Sequence, residues 1–350
     1  MKKTKLGIVG CGGMARSHAS RFNEVLDRVE VAAVVDVQRE RAQAVADLLA
    51  NDPLVETDYQ QVLDRVEAVL VVLPHHLHHP VTMACLQAGK HVLVEKPMAN
   101  TEAQCIEMIE AAQKRNLVLM VAYCMRFHPL VVRMKELIDS KAYGDLFQLS
   151  IWTEQLTRYA PGHWALSAEQ LGGGQFFSHG CHYVDLMLWM AGRPVRGNHY
   201  GTNRGTPWME KEGTSNVTIE FEGGILGYHF GTWGARGTRL KYSFHAHCED
   251  GMIEAALSEG KLIAHTRATE HVVGKPTVKQ VEEVLLEVEN SKPTETEMAH
   301  FLDCIETGAK PLADPVGSLE GLQVIWKLYE AEERNEIAAL QGLGLGTYGA

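Results

Sequence analysis

Short apolar runs alternate with helical stripes over the first third of the chain. "KLGIVG" (5–10), "VEVAAVVD" (29–36), "EAVLVVLP" (67–74), "KHVLVEKP" (90–97) and "LVLMVAY" (117–123) are nearly continuous in apolar residues. Between them, segments 13–27, 38–50, 77–88 and 101–115 carry apolar residues at helical spacing. Strands that are apolar on both faces and alternate with helices predict a parallel sheet covered on both sides.

After Tyr123 the pattern changes. A helical stretch at 130–140 leads into "YGDLFQLSIWTEQ", and then into a glycine run followed by an apolar helix. Further on, "SNVTIEFEGGILGYHFGTW" and "LKYSFHAHCEDGMIEAAL" alternate apolar and polar residues with period two, with Gly-Gly turns between strands. A last helical segment at 317–334 follows Pro311 and Pro315. The predicted class is α/β plus α+β: a doubly wound nucleotide-type domain over 1–123, then an antiparallel sheet with helices over 124–350.

Composition narrows the partners. A net charge of -11, with acidic residues spread along the chain and no basic stripe, argues against nucleic acid and anionic membrane surfaces. No apolar run approaches the roughly 20 residues of a membrane span, and a small molecule is the expected partner. Seven scattered cysteines, odd in number and without a C-x-x-C pair, suit reduced thiols in a cytoplasmic protein. The opening "MKKTKLGIVGCGG" imitates a signal peptide, but its apolar stretch is short and its glycines have another use.

That use is phosphate binding. Gly10-x-Gly12-x-x-Ala15 follows a strand and opens a helix, where backbone N–H groups and the helix dipole favour a pyrophosphate. Gly10, Gly12, Gly13 and Met14 are the candidate cofactor loop. Asp36 ends the second strand 26 residues after Gly10, placed to accept hydrogen bonds from a ribose diol. Val37 follows it rather than a Ser-Arg pair suited to a 2′-phosphate, so NAD is favoured over NADP, with Arg39 and Arg41 as the counter-argument. The alternative is a solvated aspartate at a strand end. "PHHLHH" (74–79) clusters four histidines only along the sequence, and no metal is expected there.

Three segments in order carry a family resemblance: the glycine loop, "LPHHLHHPVTMACLQAGKHVLVEKPMA" (73–99) and "LGGGQFFSHGCHYVD" (171–185). Together they resemble the glucose–fructose oxidoreductase / inositol dehydrogenase (Gfo/Idh/MocA) superfamily. The resemblance implies a Rossmann domain, a second domain on a large open, mainly antiparallel sheet, and a homodimer or homotetramer. It also implies NAD-dependent chemistry on a carbohydrate or cyclitol. Carried over by position, Lys96 is the catalytic lysine and His182 the base that takes the hydroxyl proton. Leu73, His78, Glu95 and Lys96 would lie at the cofactor, and Pro97 would bend the chain, with a cis bond as one means. The family's aspartate four residues before the histidine is Ser178 here, a hydroxyl without charge. His179 is its neighbour, and Asp185 is expected to orient or to pack.

Substrate contacts are expected from Tyr123, Arg126, Arg158, His163 and Trp164, together with Ser178 and His179, since aromatic faces and guanidinium groups suit sugar rings and anionic substituents. The first reading is a dehydrogenase of a ring hydroxyl. The second is an NAD-dependent glycosidase working through a transient 3-keto sugar. A third is a non-catalytic NAD-binding regulator, which retention of Lys96 and His182 disfavours.

Overall fold

A computed structural model describes residues 3–22, 24–267, 280–289 and 292–348. Its chain divides into two compact units, the first made of Met1–Cys124, Glu169–Gly172 and Pro293–Leu319, the second of Met125–Ala168, Gly173–Lys292 and Glu320–Ala350.

In the first unit, strands β1 (Thr4–Val9), β2 (Val29–Val35), β3 (Leu54–Glu56), β4 (Ala68–Val71), β5 (His91–Val94) and β6 (Leu119–Val121) form one sheet. The order is β3-β2-β1-β4-β5-β6 and every neighbouring pair is parallel. Helices α1 (Gly13–Phe22), α2 (Arg39–Ala46), α3 (His78–Gln87) and α4 (Glu102–Lys114) make the crossovers. Every residue of β4 and β6 is buried, as continuous apolar strands in a covered parallel sheet must be. Thr101 starts α4 by accepting from Gln104 N at 3.3 Å, which satisfies one of the free amides of its first turn.

Two elements of the first unit lie outside the sequence pattern. β3 has three residues, too few for a period to show. Helix α8 (Thr294–Thr307) packs on α1. Met298, Phe301 and Leu302 on its buried face carry the signal that could have revealed it. Arg28, on the loop after α1, holds α8 through Asp303 at 2.7 Å and Glu306 at 3.2 Å. Val121 N donates to Ala313 O at 3.1 Å, extending the edge of β6. A single boundary at 123 was expected from the pattern; the chain instead returns to the first unit near its C-terminal end, because α8 has an apolar face to bury.

Among the described residues the second unit is built on nine strands: β7 (Leu146–Glu154), β8 (Pro194–Thr202), β9 (Thr214–Phe221), β10 (Leu226–Thr232), β11 (Tyr242–Cys248), β12 (Gly251–Ala256), β13 (Lys261–Arg267), β14 (Gln280–Glu287) and β15 (Ala338–Ala339). Their order is β14-β13-β12-β11-β7-β10-β9-β8-β15, antiparallel throughout except for β7 against β10. Alternation sets the faces: Ser215, Val217, Ile219 and Phe221 of β9 point inward. Helix α5 (Pro129–Asp139) packs on β12 and β13. The short helix α6 (Ala168–Leu171) precedes the glycine run, and one π-helical turn, Phe176–Gly180, leads directly into α7 (Cys181–Ala191), which lies over β7 and β10. No helix among the described residues is long and apolar enough to cross a membrane.

Candidate functional site

The nucleotide end of the first unit is assembled by backbone geometry. Gly10 has φ +93°, and a Cβ there would lie 2.1 Å from Val72 O and 2.9 Å from a methyl of Leu73, so only glycine turns the chain at this point. A Cβ on Gly12 or Gly13 would meet nothing within 4 Å. These two glycines therefore leave open space at the N-terminus of α1, and that fits a pyrophosphate approaching the backbone. Met14 occupies the first turn of the same helix.

Asp36 is fixed beside this loop. Its Oδ2 accepts from Cys11 N at 2.9 Å and its Oδ1 from Gln38 N at 2.9 Å. One carboxylate so ties the glycine loop to the end of β2, with further lone pairs for a diol. Val37 beside it is 86% exposed and offers no cation.

Lys96 follows β5 and is half-buried; its peptide bond to Pro97 is cis. Glu95 is buried, with Oε1 2.9 Å from Nε2 of the fully buried His18 and Oε2 accepting from Lys96 N at 3.3 Å. His78 joins the two neighbouring strand ends, Nδ1 lying 2.8 Å from Pro97 O and Nε2 2.8 Å from Leu73 O. Burial pushes its pKa down, the two carbonyls and Glu95 push it up, and the net direction is downward. His75 is held still further below the usual range by burial, with His78 and Lys96 adding to the effect, and its Nδ1 faces Leu171 O at 2.8 Å. Of the "PHHLHH" histidines, His75 and His78 thus turn to carbonyls and His79 to Glu107 at 2.7 Å. Among the described residues no group of three His, Cys, Asp or Glu side chains could hold a metal. Tyr123, expected on the substrate wall, is 2% exposed and accepts from Ser318 Oγ at 3.3 Å, which places it in the packed interior of this unit.

The second unit carries the histidines. Gly172, the last residue of the first unit's Glu169–Gly172 stretch, turns at φ +83°. A Cβ on Gly173 would lie 2.6 Å from that of Phe177, and one on Gly174 would lie 2.1 Å from the carboxylate of Glu212. The glycine run therefore makes room for a buried acid. Glu212 Oε1 accepts from Tyr329 Oη at 2.6 Å and from Phe176 N at 3.1 Å, while Tyr329 Oη accepts from Gly174 N and Phe177 N at 3.3 and 3.2 Å. Burial raises the Glu212 pKa against these hydrogen bonds. Together they hold the start of the π-turn.

Beyond that turn, Ser178 and His182 are buried and His179 is partly exposed. The rings of His179 and His182 meet edge-to-face with centroids 6.3 Å apart. Asp185, three residues on, pairs with Arg126 at 2.7 and 2.8 Å, both side chains buried, with Trp189 under the guanidinium at 5.2 Å. A buried guanidinium needs such a partner. Nε and Nη2 of Arg126, expected to face an anionic substituent, are taken up by this pair.

Arg158 lies over the Trp208 ring at 4.7 Å, and Tyr159 stacks on His163 at 4.5 Å. Trp164 adjoins His163 at 5.6 Å, and Trp233 approaches Tyr159 at 6.0 Å and His179 at 6.4 Å. His163 and Trp164 are thus brought into one aromatic group with Tyr159 and Trp233, while Arg158 packs on Trp208. Gln155, Gln175, Trp233 and Tyr242, which crowd around this group and His179, were not anticipated. They lie near strand ends and inside the glycine motif, where no spacing rule marks them.

A parallel sheet in Rossmann order with a glycine-loop cradle, followed by a second unit on a large open sheet, defines a dinucleotide-binding class of protein. Residues 4–123 match the sequence model of the Gfo/Idh/MocA oxidoreductase family, NAD-binding Rossmann fold, and residues 131–254 match the model of its C-terminal domain. The chain belongs to the Gfo/Idh/MocA family. It is similar to inositol 2-dehydrogenase 2 of Saccharopolyspora erythraea, 30% identical over 63% of this chain and 64% of that protein. It is also similar to levoglucosan dehydrogenase of Pseudarthrobacter phenanthrenivorans, 24% identical over 72% of this chain and 73% of that protein. The chain spans 64% of the first of these relatives and 43% of inositol 2-dehydrogenase 1 of the same Saccharopolyspora. In fold, it resembles levoglucosan dehydrogenase in complex with NADH and levoglucosan, with a TM-score of 0.84 at 18% identity over 97% of this chain and 100% of that one. Aldose-aldose oxidoreductase from Caulobacter crescentus gives 0.81 at 25% identity over the same shares.

Proposed function

We propose that this protein is an NAD-dependent dehydrogenase acting on a ring hydroxyl of a sugar, glycoside or cyclitol. The observation that carries the reading is the placement of Lys96. An amine that follows β5 stands on the carboxyl edge of the sheet, the edge that also bears Gly10–Gly13 and Asp36 and where open α/β sheets bind their ligands. A half-buried lysine beside a buried glutamate at that edge is a candidate reacting group.

NAD, when bound, supplies the acceptor for the hydride. Asp36 would hold the ribose diol, and the backbone of Gly12 and Gly13 would approach the pyrophosphate. Lys96 would hold the substrate oxygen and stabilise charge as it develops there. His182 would take the hydroxyl proton. The aromatic group around His163, Trp164 and Trp233 suits the apolar faces of a sugar ring. The reading includes a homodimer or homotetramer, supported by the Trp152, Tyr228 and Phe230 cluster on the sheet face opposite the buried Leu149 and Ile151. Reduced, buried thiols suit a cytoplasmic setting.

The test is a screen of the NAD-loaded protein against sugars, cyclitols and glycosides in D₂O, following NADH absorbance and aglycone release together. NADH formed one-for-one with product, and no deuterium in that product, is the expected result. Aglycone release with flat absorbance, and deuterium beside the oxidised carbon, would replace the dehydrogenase with a redox-neutral glycosidase.

A further inference from the structure

His179 sits inside a directional hydrogen-bond chain that the proposed chemistry does not use. At one end, Ser215 Oγ donates to Gln175 Oε1 at 2.8 Å, which turns the amide NH₂ of Gln175 toward His179 Nδ1 at 3.3 Å. Gln175 is fully buried, and Gly231 leaves room for it: a Cβ there would lie 2.5 Å from its amide nitrogen. At the other end, Gln155 Nε2 donates to Thr157 Oγ1 at 2.9 Å, which leaves Gln155 Oε1 to accept from Tyr242 Oη. The single phenolic proton of Tyr242 is then committed, and its oxygen faces His179 Nε2 at 3.3 Å as an acceptor. Tyr183 Oη also lies 3.3 Å from Nε2. Burial keeps the Tyr242 phenol protonated by pushing its pKa upward.

Both ends demand the same ring. Nδ1 receives a proton from an amide and Nε2 must give one to a phenol oxygen. We propose that His179 is held as the neutral Nε2–H tautomer and serves as a positioning residue for His182, whose ring it meets edge-to-face at 6.3 Å. A neutral neighbour lets His182 take up a proton without a like charge beside it, whereas an imidazolium at His179 would lower its basicity. The chain thereby keeps the surroundings of the base fixed in charge where Ser178 supplies a hydroxyl and no carboxylate. The positioning role rests on the dehydrogenase reading; the tautomer does not.

The tautomer is read without substrate, by long-range ¹H–¹⁵N correlation of the histidine rings at pH 7.5, with His179→Gln to assign the signal. A single proton on Nε2 is expected, and a proton on Nδ1, or on both nitrogens, would overturn the inference. Gln175→Glu, nearly isosteric, replaces the amide donor with an acceptor and should move a proton onto Nδ1. It should lower kcat by ~10-fold or more, leave KM within about twofold, and displace the acidic limb of the kcat profile. If the ring changes protonation while that limb stays in place, His179 does not position His182. Should Gln175→Glu fail to fold, Gln175→Met, which removes the amide donor to Nδ1 and lets the proton move there, is read in the same two ways. Absence of NADH formation by the unaltered protein on every sugar would overturn the dehydrogenase reading and the positioning role together, and an Nε2–H signal would then stand alone.

Discussion

Asp36 is where residue-level chemistry makes its sharpest claim. Its two oxygens already hold Cys11 N and Gln38 N, so the carboxylate is fixed before any nucleotide arrives. A fixed anion repels a 2′-phosphate and accepts from a 2′-hydroxyl. NAD is therefore expected to bind much more tightly than NADP, and Asp36→Ala should weaken NAD and narrow the gap. Titration calorimetry on both proteins would decide, with equal NADP affinity in the unaltered protein as the contrary result. Lys96→Met is expected to keep the fold and NAD affinity while lowering turnover by ~10²–10⁴, the usual range for a positioned acid–base group. Near-native turnover on the preferred sugar would leave Lys96 a structural residue. These positions were legible because their partners are close in sequence or belong to a motif with a fixed frame. Gln175, Tyr242 and Gln155 were not, since their meaning arises only when β7 and β11 bring Gln155 and Tyr242 to the start of the α7 segment.

The glycines show the same division at the scale of elements. Both runs read alike in sequence, as small residues before a helix. In the first, Gly12 faces open space; in the second, Gly174 leaves space for Glu212, 38 residues away. Gly12→Ala should leave urea stability within about 0.5 kcal/mol, as for a substitution away from packed features, and weaken NAD. Gly174→Ala should cost roughly 1–3 kcal/mol or more, as overpacking does, because its Cβ would fall on a buried carboxylate that also anchors Tyr329. Equal stability losses in the two variants would refute this division. The sheet and crossover helices of the first unit were legible from periodicity alone. Helix α8 carries a readable stripe, but its docking onto α1 joins segments from opposite ends of the chain and leaves no local pattern.

For the whole molecule, several buried histidines fold in the neutral state. Burial lowers His128 to about 4 and His229 to about 3. Both folded values lie below the ordinary value near 6.5, so the unfolded chain binds protons first. Stability is then full above about pH 6.5 and falls as the pH drops toward the folded values, on the order of 3 kcal/mol for each histidine by pH 4. Urea midpoints measured from pH 7 to 4.5 should decline steadily. His128 caps α5 by accepting from Leu130 N at 3.3 Å, and asparagine can do the same. His128→Asn should therefore match the unaltered protein at pH 7 and lose less at pH 4.5. A midpoint that does not move between those two pH values would contradict the assignment.

The return of residues 293–319 to the first unit has a consequence for how the protein is made. On the ribosome, the six parallel strands are complete once Val121 has emerged, yet the face of α1 that receives α8 stays bare, as does the amide of Val121 that pairs with Ala313. More than 170 further residues, nearly the whole second sheet, must be synthesised before that face is covered. At synthesis rates of ~5–20 residues per second the exposure lasts on the order of ten seconds or more. The nascent Rossmann unit is thus a client for whatever shields apolar surface near the exit tunnel, and a polypeptide stopped at Cys124 should precipitate or stay bound to a chaperone where the full chain is released.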